Sequence, residues 1–382
     1  MIVLGWIFGL LALCGTGYHV WSAWLVRRFQ KQSLTVSGDF PTVTILKPLA
    51  GDEPGLADNL RSFCCQLYPT FQVIFGVHDE HDPALAVARA MVEEFPEADI
   101  EVVVGAGRPE GGNPKIANLL AMIPHARHEV IVLADSDMHV TQDYLLWVTQ
   151  ALAQPEIGIV TCLYVSHPAD GLWSKVGAMG INHGFLPSVL VGQAVGRVDG
   201  CFGATIALRR EMLDRIGGLE PLADQLADDY LLGAKVRAQG FKIGLVPLLP
   251  STVAHEPDLK TLFAHEVRWG RTLASIDRMG YAGLLVTQAV PMGLLAVLVG
   301  GGHFGVAAFG LAVLGRLSAV RMQERALGLP HLPAWMVAIR DFLTLAVQVV
   351  ALSGRTVRWR GGVYRVDRNG VLVTVEKGVV KP

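Results

Sequence analysis

The sequence predicts an α/β domain with a mostly parallel sheet, flanked by apolar segments that can enter a membrane. Short runs rich in β-branched residues alternate with helix-like segments, which is typical of parallel sheets with crossover helices. The whole chain is 51% hydrophobic and only 17% charged, with a mean hydropathy of +0.40. That composition is more apolar than an ordinary soluble domain, so membrane segments are expected beside the domain.

The strands and helices of the predicted domain alternate between residues 40 and 137. The strand-like runs are Val43–Leu46, Val73–Val77, Ile100–Val104 and Val130–Ala134, and the helix-like segments are Gly55–Gln66, Ala84–Glu94 and Lys115–Met122. Ligands of such sheets bind beyond the carboxyl ends of the strands. Acidic clusters follow two strands there, at residues 78–82 and 135–137. The sequence therefore predicts a binding site at this edge.

Residues 1–28 predict an N-terminal transmembrane anchor. Residues 2–26 are almost uncharged, and about 20 apolar residues cross a bilayer as a helix. Arg27, Arg28 and Lys31 follow this stretch, which marks its cytosolic end and is the reverse of the charge order in a cleaved signal peptide. We therefore expect a multi-pass protein of the inner, cytoplasmic membrane, with the domain at 40–279 in the cytosol.

Residues 281–353 predict two to three further membrane helices. Gly283–Gly301 and Phe304–Val320 read as a hairpin of two spans, and Trp335–Leu352 is a third apolar segment. Because these segments and the anchor would make four spans, the tail would then lie outside.

The tail at 354–382 is basic, with a predicted hairpin around Asn369–Gly370. Its arginines favour the cytosolic side instead. Two interpretations stay open: one C-terminal segment is re-entrant or interfacial, or the charge rule fails in this chain.

Charge and cysteine content exclude several classes of protein. The net charge of -2 gives no basic field for nucleic acid, so no nucleic-acid partner is expected. The five cysteines form no CxxC pair, which argues against a disulfide framework or a zinc site.

Three groups of residues can carry chemistry. Alternation along a strand points Asp135 and Asp137 to the same side, where two carboxylates can hold a divalent cation that neutralises a diphosphate; a solvated turn is the alternative. Residues 228–229 are acidic and begin a helical pattern, and such a carboxylate can act as a general base or only as an acidic helix start. Arg268 can stabilise a leaving diphosphate and Trp269 can stack on a sugar, although both residue types also anchor helices at membrane surfaces.

In combination, these motifs resemble the ceramide glucosyltransferase family, and most closely its bacterial relatives in hopanoid biosynthesis. The resemblance extends from about Pro41 to Val366. It is carried by residues 43–49 with Gly51, 78–84, 113–119, 135–137, 208–210 with 217–219, 228–230, 268–269 and 359–365. Motifs in this order and spacing are specific to the family.

The resemblance implies a GT-A fold, which is Rossmann-like, an inverting mechanism, a UDP-sugar donor, a divalent cation (Mg²⁺ or Mn²⁺) and a lipid acceptor in the bilayer. On the donor side, the resemblance implies Asp79 or Asp82 for the uridine, Asp135 with Asp137 for the ribose, diphosphate and metal, and Lys47 and Lys115 beside the donor. It also implies Asp229 as the base, and Arg268 with Trp269 as the final signature. The family usually opens that signature with Gln or Arg, whereas this chain has His265. The role of that position is therefore open.

We expect transfer of N-acetylglucosamine or glucose to a lipid hydroxyl. The usage of Ala, Gly, Val and Arg is typical of bacteria, which favours a hopanoid such as bacteriohopanetetrol as acceptor; the alternative is a ceramide glucosyltransferase that makes glucosylceramide. Three other classes fit less well. A processive polysaccharide synthase would need more spans, a transporter or scaffold would need no ordered carboxylates, and an inactive transferase would not retain the acidic motifs. The sequence makes no prediction about oligomeric state.

Overall fold

The computed structural model describes residues 1–33, 38–105, 112–197, 200–354, 356–359, 362–366 and 372–376. The chain divides into two compact units that interleave along the sequence. The sheet unit comprises Gln32–His167 and Asp199–Val253; the helical unit comprises Met1–Lys31, Pro168–Val198 and Ala254–Pro382. The domain boundaries expected from sequence stay predictions.

The strands have the following bounds: β1 (Val43–Leu49), β2 (Phe71–Val77), β3 (Ile100–Val104), β4 (Val130–Leu133), β5 (Ile157–Cys162), β6 (Val165–Pro168), β7 (Ile206–Arg209), β8 (Lys242–Val246), β9 (Ser251–Ala254), β10 (Thr356–Trp359), β11 (Gly362–Val366) and β12 (Leu372–Glu376). Seven of them form the main sheet in the order β3-β2-β1-β4-β7-β5-β8. Only β7 runs antiparallel to its neighbours there. The predicted mostly parallel α/β class is therefore confirmed.

The α-helices have the following bounds: α1 (Ile2–Phe29), α2 (Leu56–Cys64), α3 (Ala84–Glu94), α4 (Pro114–Met122), α5 (Tyr144–Leu152), α6 (Leu172–Gly180), α7 (Leu186–Ala194), α8 (Arg210–Arg215), α9 (Asp228–Ala238), α10 (Leu259–Ile276), α11 (Arg278–Gly283), α12 (Ala289–Leu298), α13 (Gly302–Leu327) and α14 (Ala334–Leu352). A π-helix at Ile181–Phe185 joins α6 to α7, and a 3₁₀ turn at Leu284–Thr287 precedes α12.

The main sheet has an apolar core on both faces. All seven residues of β1 are buried, and its alternate side chains enter different clusters, with Ile45 packed on one face and Leu46 on the other. A fully buried side chain of this size contributes about 1.5–3 kcal/mol. Burial on both faces explains why the strands read as continuous apolar runs in the sequence.

The strand register gathers the loops of the site at one edge. Leu49 lies opposite Val77, and Leu46 lies opposite Leu133, so the carboxyl ends of β1, β2 and β4 share that edge. Because β7 is antiparallel and Ile206 lies opposite Leu133, the residues that precede β7 reach the same edge. The acidic clusters that follow β2 and β4 therefore emerge on one side of the sheet.

In the helical unit, α1 and α13 lie side by side and run in the same direction. Trp6 stacks on Phe304 with 4.2 Å between ring centroids, and Gln323 Nε2 donates to Ser22 Oγ over 3.3 Å. The N-terminal part of α1 thus lies beside the N-terminal part of α13, and the C-terminal parts lie beside each other. The ends Phe29 and Leu327 therefore lie on the same side of this helix pair.

Within the described part of the chain, three helices (α1, α13 and α14) are long and apolar enough to cross a membrane, and α11 with α12 makes a fourth candidate that bends by 65°. The span predicted at Gly283–Gly301 falls on this bent pair and stays a prediction. Its helix is interrupted at Gln288, whose backbone leaves the helical region. In the tail, β11 and β12 pair antiparallel, while the predicted turn at Asn369–Gly370 lies outside the described residues.

The contact between α1 and α13 gives a stability prediction. A Cβ added at Gly315 would overlap Thr16 Cγ2, whereas a Cβ added at Gly310 meets nothing within 4 Å. Because overpacking costs about 1–3 kcal/mol, we expect Gly315→Val to lower the thermal unfolding temperature in detergent. Gly310→Val is the matched control in the same helix. An equal effect of the two substitutions would mean that helix propensity, and not this contact, sets the loss.

Candidate active site

Asp135 and Asp137 lie in the turn that follows β4, at the carboxyl edge of the sheet. The backbone carbonyl of Asp135 accepts a 2.6 Å hydrogen bond from Lys47 Nζ, and Thr252 Oγ1 donates to Asp137 Oδ2 over 3.0 Å. Asp137 is exposed as a residue, but the protein around its carboxyl group and the charges of Asp135 and Glu53 raise its pKa to about 6. The turn thus concentrates negative charge at the sheet edge.

Lys115 joins this turn to the start of α9. Its Nζ lies 2.5 Å from Asp135 Oδ1 and 4.0 Å from Asp228 Oδ2. Partial burial opposes the charged form, but the charges of Asp135 and Asp228 dominate and raise the pKa of Lys115. Lys115 is therefore a fixed cation among carboxylates.

Asn113 orients Lys115 and was assigned no role from the sequence. As N-cap of α4 it accepts hydrogen bonds from the backbone amides of Lys115 and Ile116, and its Nδ2 donates to Asp228 Oδ1 over 3.0 Å. The sequence signal was the Asn113-Pro114 pair, because Asn at the N-cap followed by Pro begins helices. That signal locates the helix but not the contact with Asp228, which is distant in sequence.

Asp229 lies in the first turn of α9. Its Oδ2 accepts a 3.2 Å hydrogen bond from the Gly203 amide, and its Oδ1 accepts a 2.7 Å bond from the Tyr230 amide. Burial, together with the adjacent charge of Asp228, raises the pKa of Asp229 to about 7. A carboxyl group with such a pKa is matched to general base catalysis near neutral pH.

Gly203 was also assigned no role from the sequence, and the site leaves no room for a side chain at this position. A Cβ there would lie 2.8 Å from Asp135 Oδ2 and 3.1 Å from Lys115 Nζ. The backbone before β7 can therefore approach both groups and donate to Asp229 only because residue 203 is glycine. One glycine among 42 carries no sequence signal for this role.

Lys47 lies beneath the turn rather than at its surface. It is fully buried, and its Nζ sits 3.8 Å from the centroid of the Phe63 ring. Burial lowers the pKa of Lys47 to about 7, although Asp137 and Asp135 oppose this shift. The hydrogen bond from Lys47 Nζ to the Asp135 carbonyl joins this lysine to the turn, so Lys47 holds the turn in place from below.

Asp79 and Asp82 both follow β2 but have different surroundings. Asp82 Oδ1 accepts hydrogen bonds from the amides of Gly51 and Ala84, both over 2.9 Å, so it fastens the loop after β1 to the start of α3. The side chain of Asp79 is 58% exposed, and its Oδ1 accepts a local bond from the His81 amide. Of the two, Asp79 is the more accessible to a ligand.

His265, Arg268 and Trp269 lie together on α10 in the helical unit. His265 Nδ1 is 2.9 Å from Oε1 of the buried Glu256, and the rings of His265 and Trp269 are 4.3 Å apart. The Arg268 guanidinium lies 5.9 Å from the Trp269 ring. These three predicted residues therefore form one surface of a single helix.

The two carboxylates of the turn suit a divalent cation that is shared with a ligand. Among the described residues, no group of three or more His, Cys, Asp or Glu side chains is arranged to hold a metal by itself. Mg²⁺ commonly uses one or two carboxylates and takes its other ligands from phosphates and water. Asp137 is the better candidate, because Lys115 already neutralises Asp135.

The residues predicted from the sequence thus fall into two sets, one at the edge of the main sheet and one on α10 (His265, Arg268 and Trp269). One network at the edge of the sheet contains Lys47, Lys115, Asp135, Asp137 and Asp229. A neighbouring loop of the same edge carries Asp79 and Asp82. The network holds paired carboxylates, a fixed cation and a half-buried base. Such a set can bind a charged diphosphate and remove a proton from a hydroxyl group.

Comparison with known proteins gives a family match along almost the whole chain. Residues 6–372 match glycosyl transferase family 21. The chain is 25% identical over 348 residues to ceramide glucosyltransferase 1 of Caenorhabditis elegans, covering 87% of this chain and 73% of that protein. It is 32% identical over 120 residues to a ceramide glucosyltransferase of Komagataella phaffii, covering 30% of this chain and 24% of that protein.

Among solved structures, the chain is similar to the mannosyltransferase PcManGT from Pyrobaculum calidifontis, which was determined in complex with GDP-Man and Mn²⁺. The TM-score is 0.54 at 20% identity, and the match covers 92% of this chain and 98% of that one. The similarity confirms the predicted GT-A fold.

Proposed function

Because this chain belongs to glycosyl transferase family 21, we propose that it transfers a hexose from a nucleoside diphosphate sugar to a hydroxyl group of a membrane lipid. The family and the enzyme class predicted from sequence, a hexosyltransferase, are confirmed by the match and by the relatives. The observation that carries the proposal is the network in which Lys115 joins the Asp135 turn to the helix of Asp229. A transporter or scaffold would have no need of it.

Ceramide is the acceptor that the relatives favour. The names of the matched proteins are those of ceramide glucosyltransferases, and they give no support to the hopanoid acceptor expected from composition. We therefore place UDP-glucose and ceramide first, with a hopanoid and UDP-N-acetylglucosamine as the competing pair in the assay below.

In the proposed reaction, the Asp229 carboxylate takes the proton of the lipid hydroxyl. The oxygen then attacks the anomeric carbon of the sugar, and the bond from that carbon to the diphosphate oxygen breaks, leaving the electron pair on the nucleoside diphosphate. A single displacement inverts the anomeric centre. The amide of Gly203 and the amide of Tyr230 hold the base in place.

Donor binding is assigned to the carboxyl edge of the sheet. Asp79 is proposed to contact the uridine and Asp135 the ribose and diphosphate, while Asp137 would hold a divalent cation that neutralises the diphosphate when bound. Lys115 contributes a fixed positive charge, and Lys47 keeps the Asp135 carbonyl in position. The predicted contact of Arg268 with the leaving diphosphate, and the role of Trp269 at the acceptor, remain predictions from the sequence.

The helical unit supports a membrane orientation with the tail in the cytosol. If α1 enters the cytosol at Arg27 and Arg28, the parallel α13 ends on that side as well, beside Arg321 and Arg325. Both helix ends are thus basic, as the positive-inside rule requires. The bent pair α11–α12 then crosses in the opposite sense, because Gly300 at its far end lies beside Met1.

Helix α14 is the segment that we propose does not cross. Two residues before its start, the Leu332 carbonyl accepts a 2.7 Å hydrogen bond from Arg321, which lies near the end of α13. At its end, the Leu352 carbonyl accepts a 2.6 Å bond from Arg278, at the beginning of the bent pair. Both ends of α14 therefore lie on the same side, which favours the re-entrant or interfacial alternative. A reporter fused after residue 382 should be active in the cytosol; activity only on the outer side would overturn this orientation.

The substrates are tested with membranes that contain the protein. Labelled UDP-glucose and UDP-N-acetylglucosamine are each supplied with ceramide or with a hopanoid polyol, and the lipid products are identified by mass spectrometry. We expect glucosylceramide, and loss of product when a chelator removes divalent cations. Product from the hopanoid alone would reverse the acceptor assignment, and no glycolipid from any pair would refute the proposed function.

A further inference from the structure

The strongest unassigned feature is a buried ion pair inside the final sequence signature. Glu266 lies between His265 and Arg268 on α10, and its carboxylate faces Arg340 of α14. Arg340 Nη1 lies 2.5 Å from Glu266 Oε1, and Nη2 lies 2.7 Å from Oε2. The two side chains are only 4% and 9% exposed. Two parallel charge-assisted bonds of this kind fix the relative orientation of their partners as well as their separation.

A third helix, α6, also contacts this ion pair. Arg340 Nη1 also donates to the Val176 carbonyl of α6 over 3.3 Å, and Arg340 Nε donates to Thr344 within α14 over 3.0 Å. Gly180, the last residue of α6, lies against both partners, since a Cβ there would be 2.9 Å from Arg340 Nη1 and 3.1 Å from Glu266 Oε1. The joint thus links α6, α10 and α14.

The next residue of α14 makes a second buried pair in a different direction. Asp341 accepts from Arg316 Nε of α13 over 3.0 Å and 3.2 Å, and these side chains are 8% and 4% exposed. Arg316 also donates to the His183 carbonyl over 3.2 Å. Consecutive residues of α14 therefore hold different partners, one in α10 and the other in α13.

We propose that Arg340 and Glu266 are positioning residues that set the rotation of α10 and thereby aim Arg268 and Trp269. Residues 266, 268 and 269 are covalently close on a rigid helix, so a small rotation at Glu266 displaces the neighbouring side chains directly. A buried pair is a poor source of net stability, but the loss of one partner leaves a charge uncompensated and forces the helices to adjust. The inference rests on the proposed function, which gives Arg268 and Trp269 their roles in transfer.

The test compares Glu266→Gln with Asp341→Asn, which removes one charge from the neighbouring pair in the same way. Misplacement of a catalytic group by about 1 Å can cost about 100-fold in rate, and we expect Glu266→Gln to lower kcat by that order while KM for the donor changes little. Asp341→Asn should lower the unfolding temperature but keep kcat within about threefold per folded molecule, because the carboxylate of Asp341 pairs with Arg316 of α13 rather than with Arg340. An equal loss of kcat in both variants would mean that the Glu266–Arg340 pair has only a general structural role, which would overturn the proposal.

A double variant separates positioning from chemistry. Glu266→Met combined with Arg340→Met removes both charges with similar volume, and buried pairs often tolerate such replacement. We expect it to regain most of the kcat lost in Glu266→Gln. A double variant as inactive as the single one would show that Glu266 itself takes part in the reaction and would overturn the proposal.

Gly180→Ala tests the joint from the third helix, with Gly184→Ala as control, since a Cβ at Gly184 meets nothing within 4 Å. Gly180→Ala should lower kcat and Gly184→Ala should not.

Hydrogen exchange of the α10 amides gives a readout that needs no activity: exchange should quicken in Glu266→Gln and in Gly180→Ala only. If the wild-type protein transfers sugar to no lipid, the proposed function is refuted. If hydrogen exchange of the α10 amides is unchanged in both variants, only the positioning role of Glu266 and Arg340 is refuted.

Discussion

Replacement of Asp229 by Asn is expected to lower the transfer rate by about 100- to 10,000-fold, which is the usual contribution of a general base. The amide oxygen of Asn can still accept the bond from the Gly203 amide, whereas the bond that Asp229 Oδ1 accepts from the Tyr230 amide is lost, so the side chain keeps one of its two backbone contacts. The amide cannot take a proton from the acceptor. Nucleotide-sugar binding, measured by calorimetry on the detergent-solubilised protein, should therefore remain.

Asp228→Asn is the matched control for this substitution. Asp228 shares the first turn of α9, but its carboxylate accepts from Asn113 and faces Lys115. We expect it to retain far more activity than Asp229→Asn. If Asp229→Asn keeps wild-type turnover, or if only Asp228→Asn abolishes it, then Asp229 is not the base.

The pH dependence of transfer gives an independent check on the base. The base acts in its ionised form, so the rate should rise with pH through the raised pKa of Asp229, about 7, and not through the usual range of an aspartate. Asp228 contributes to this raised pKa through its like charge. Its replacement by Asn should therefore move the acid limb of the profile to lower pH.

The second large effect is expected from Lys115→Met. Lys115 lies between Asp135 and Asp228, and its removal leaves these carboxylates and Asp229 to repel one another. Its side chain is 19% exposed and that of Asp135 is 35% exposed, so solvent screening limits the loss of unfolding free energy to about 1–2 kcal/mol. The larger consequence should be kinetic, because the donor site and the base share this cation.

For Lys115→Met we expect a higher KM for the donor and a shift of the acid limb to higher pH. The positive charge of Lys115 lowers the pKa of Asp229, so its loss makes the base harder to ionise. The shift should be opposite in sign to that of Asp228→Asn. Lys242→Met, at an exposed position of β8, should leave the profile unchanged. A profile that does not move in Lys115→Met would show that Lys115 and Asp229 do not interact.

The sequence alone determined the class of fold, the family and the positions of the acidic motifs. Local pattern sufficed for the fold class and for the position of the acidic motifs, because burial on both faces makes parallel strands read as apolar runs, and the residues after such strands emerge at one edge. The family was predicted from the resemblance of the ordered motifs. The prediction for Ile100–Val104 matched β3 to the residue. The apolar segments were also found from composition alone, although the break at Gln288 was not.

Only the tertiary structure decided how the site residues are connected. Asn113, Gly203 and Thr252 are distant in sequence from the carboxylates that they contact, and no local pattern encodes such pairs. The structure likewise placed Lys47 beneath the turn and paired Glu266 with Arg340 across 74 positions. The physical reason is that residue type and periodicity specify the burial of each element, whereas hydrogen bonds and ion pairs between elements depend on how the buried surfaces pack together.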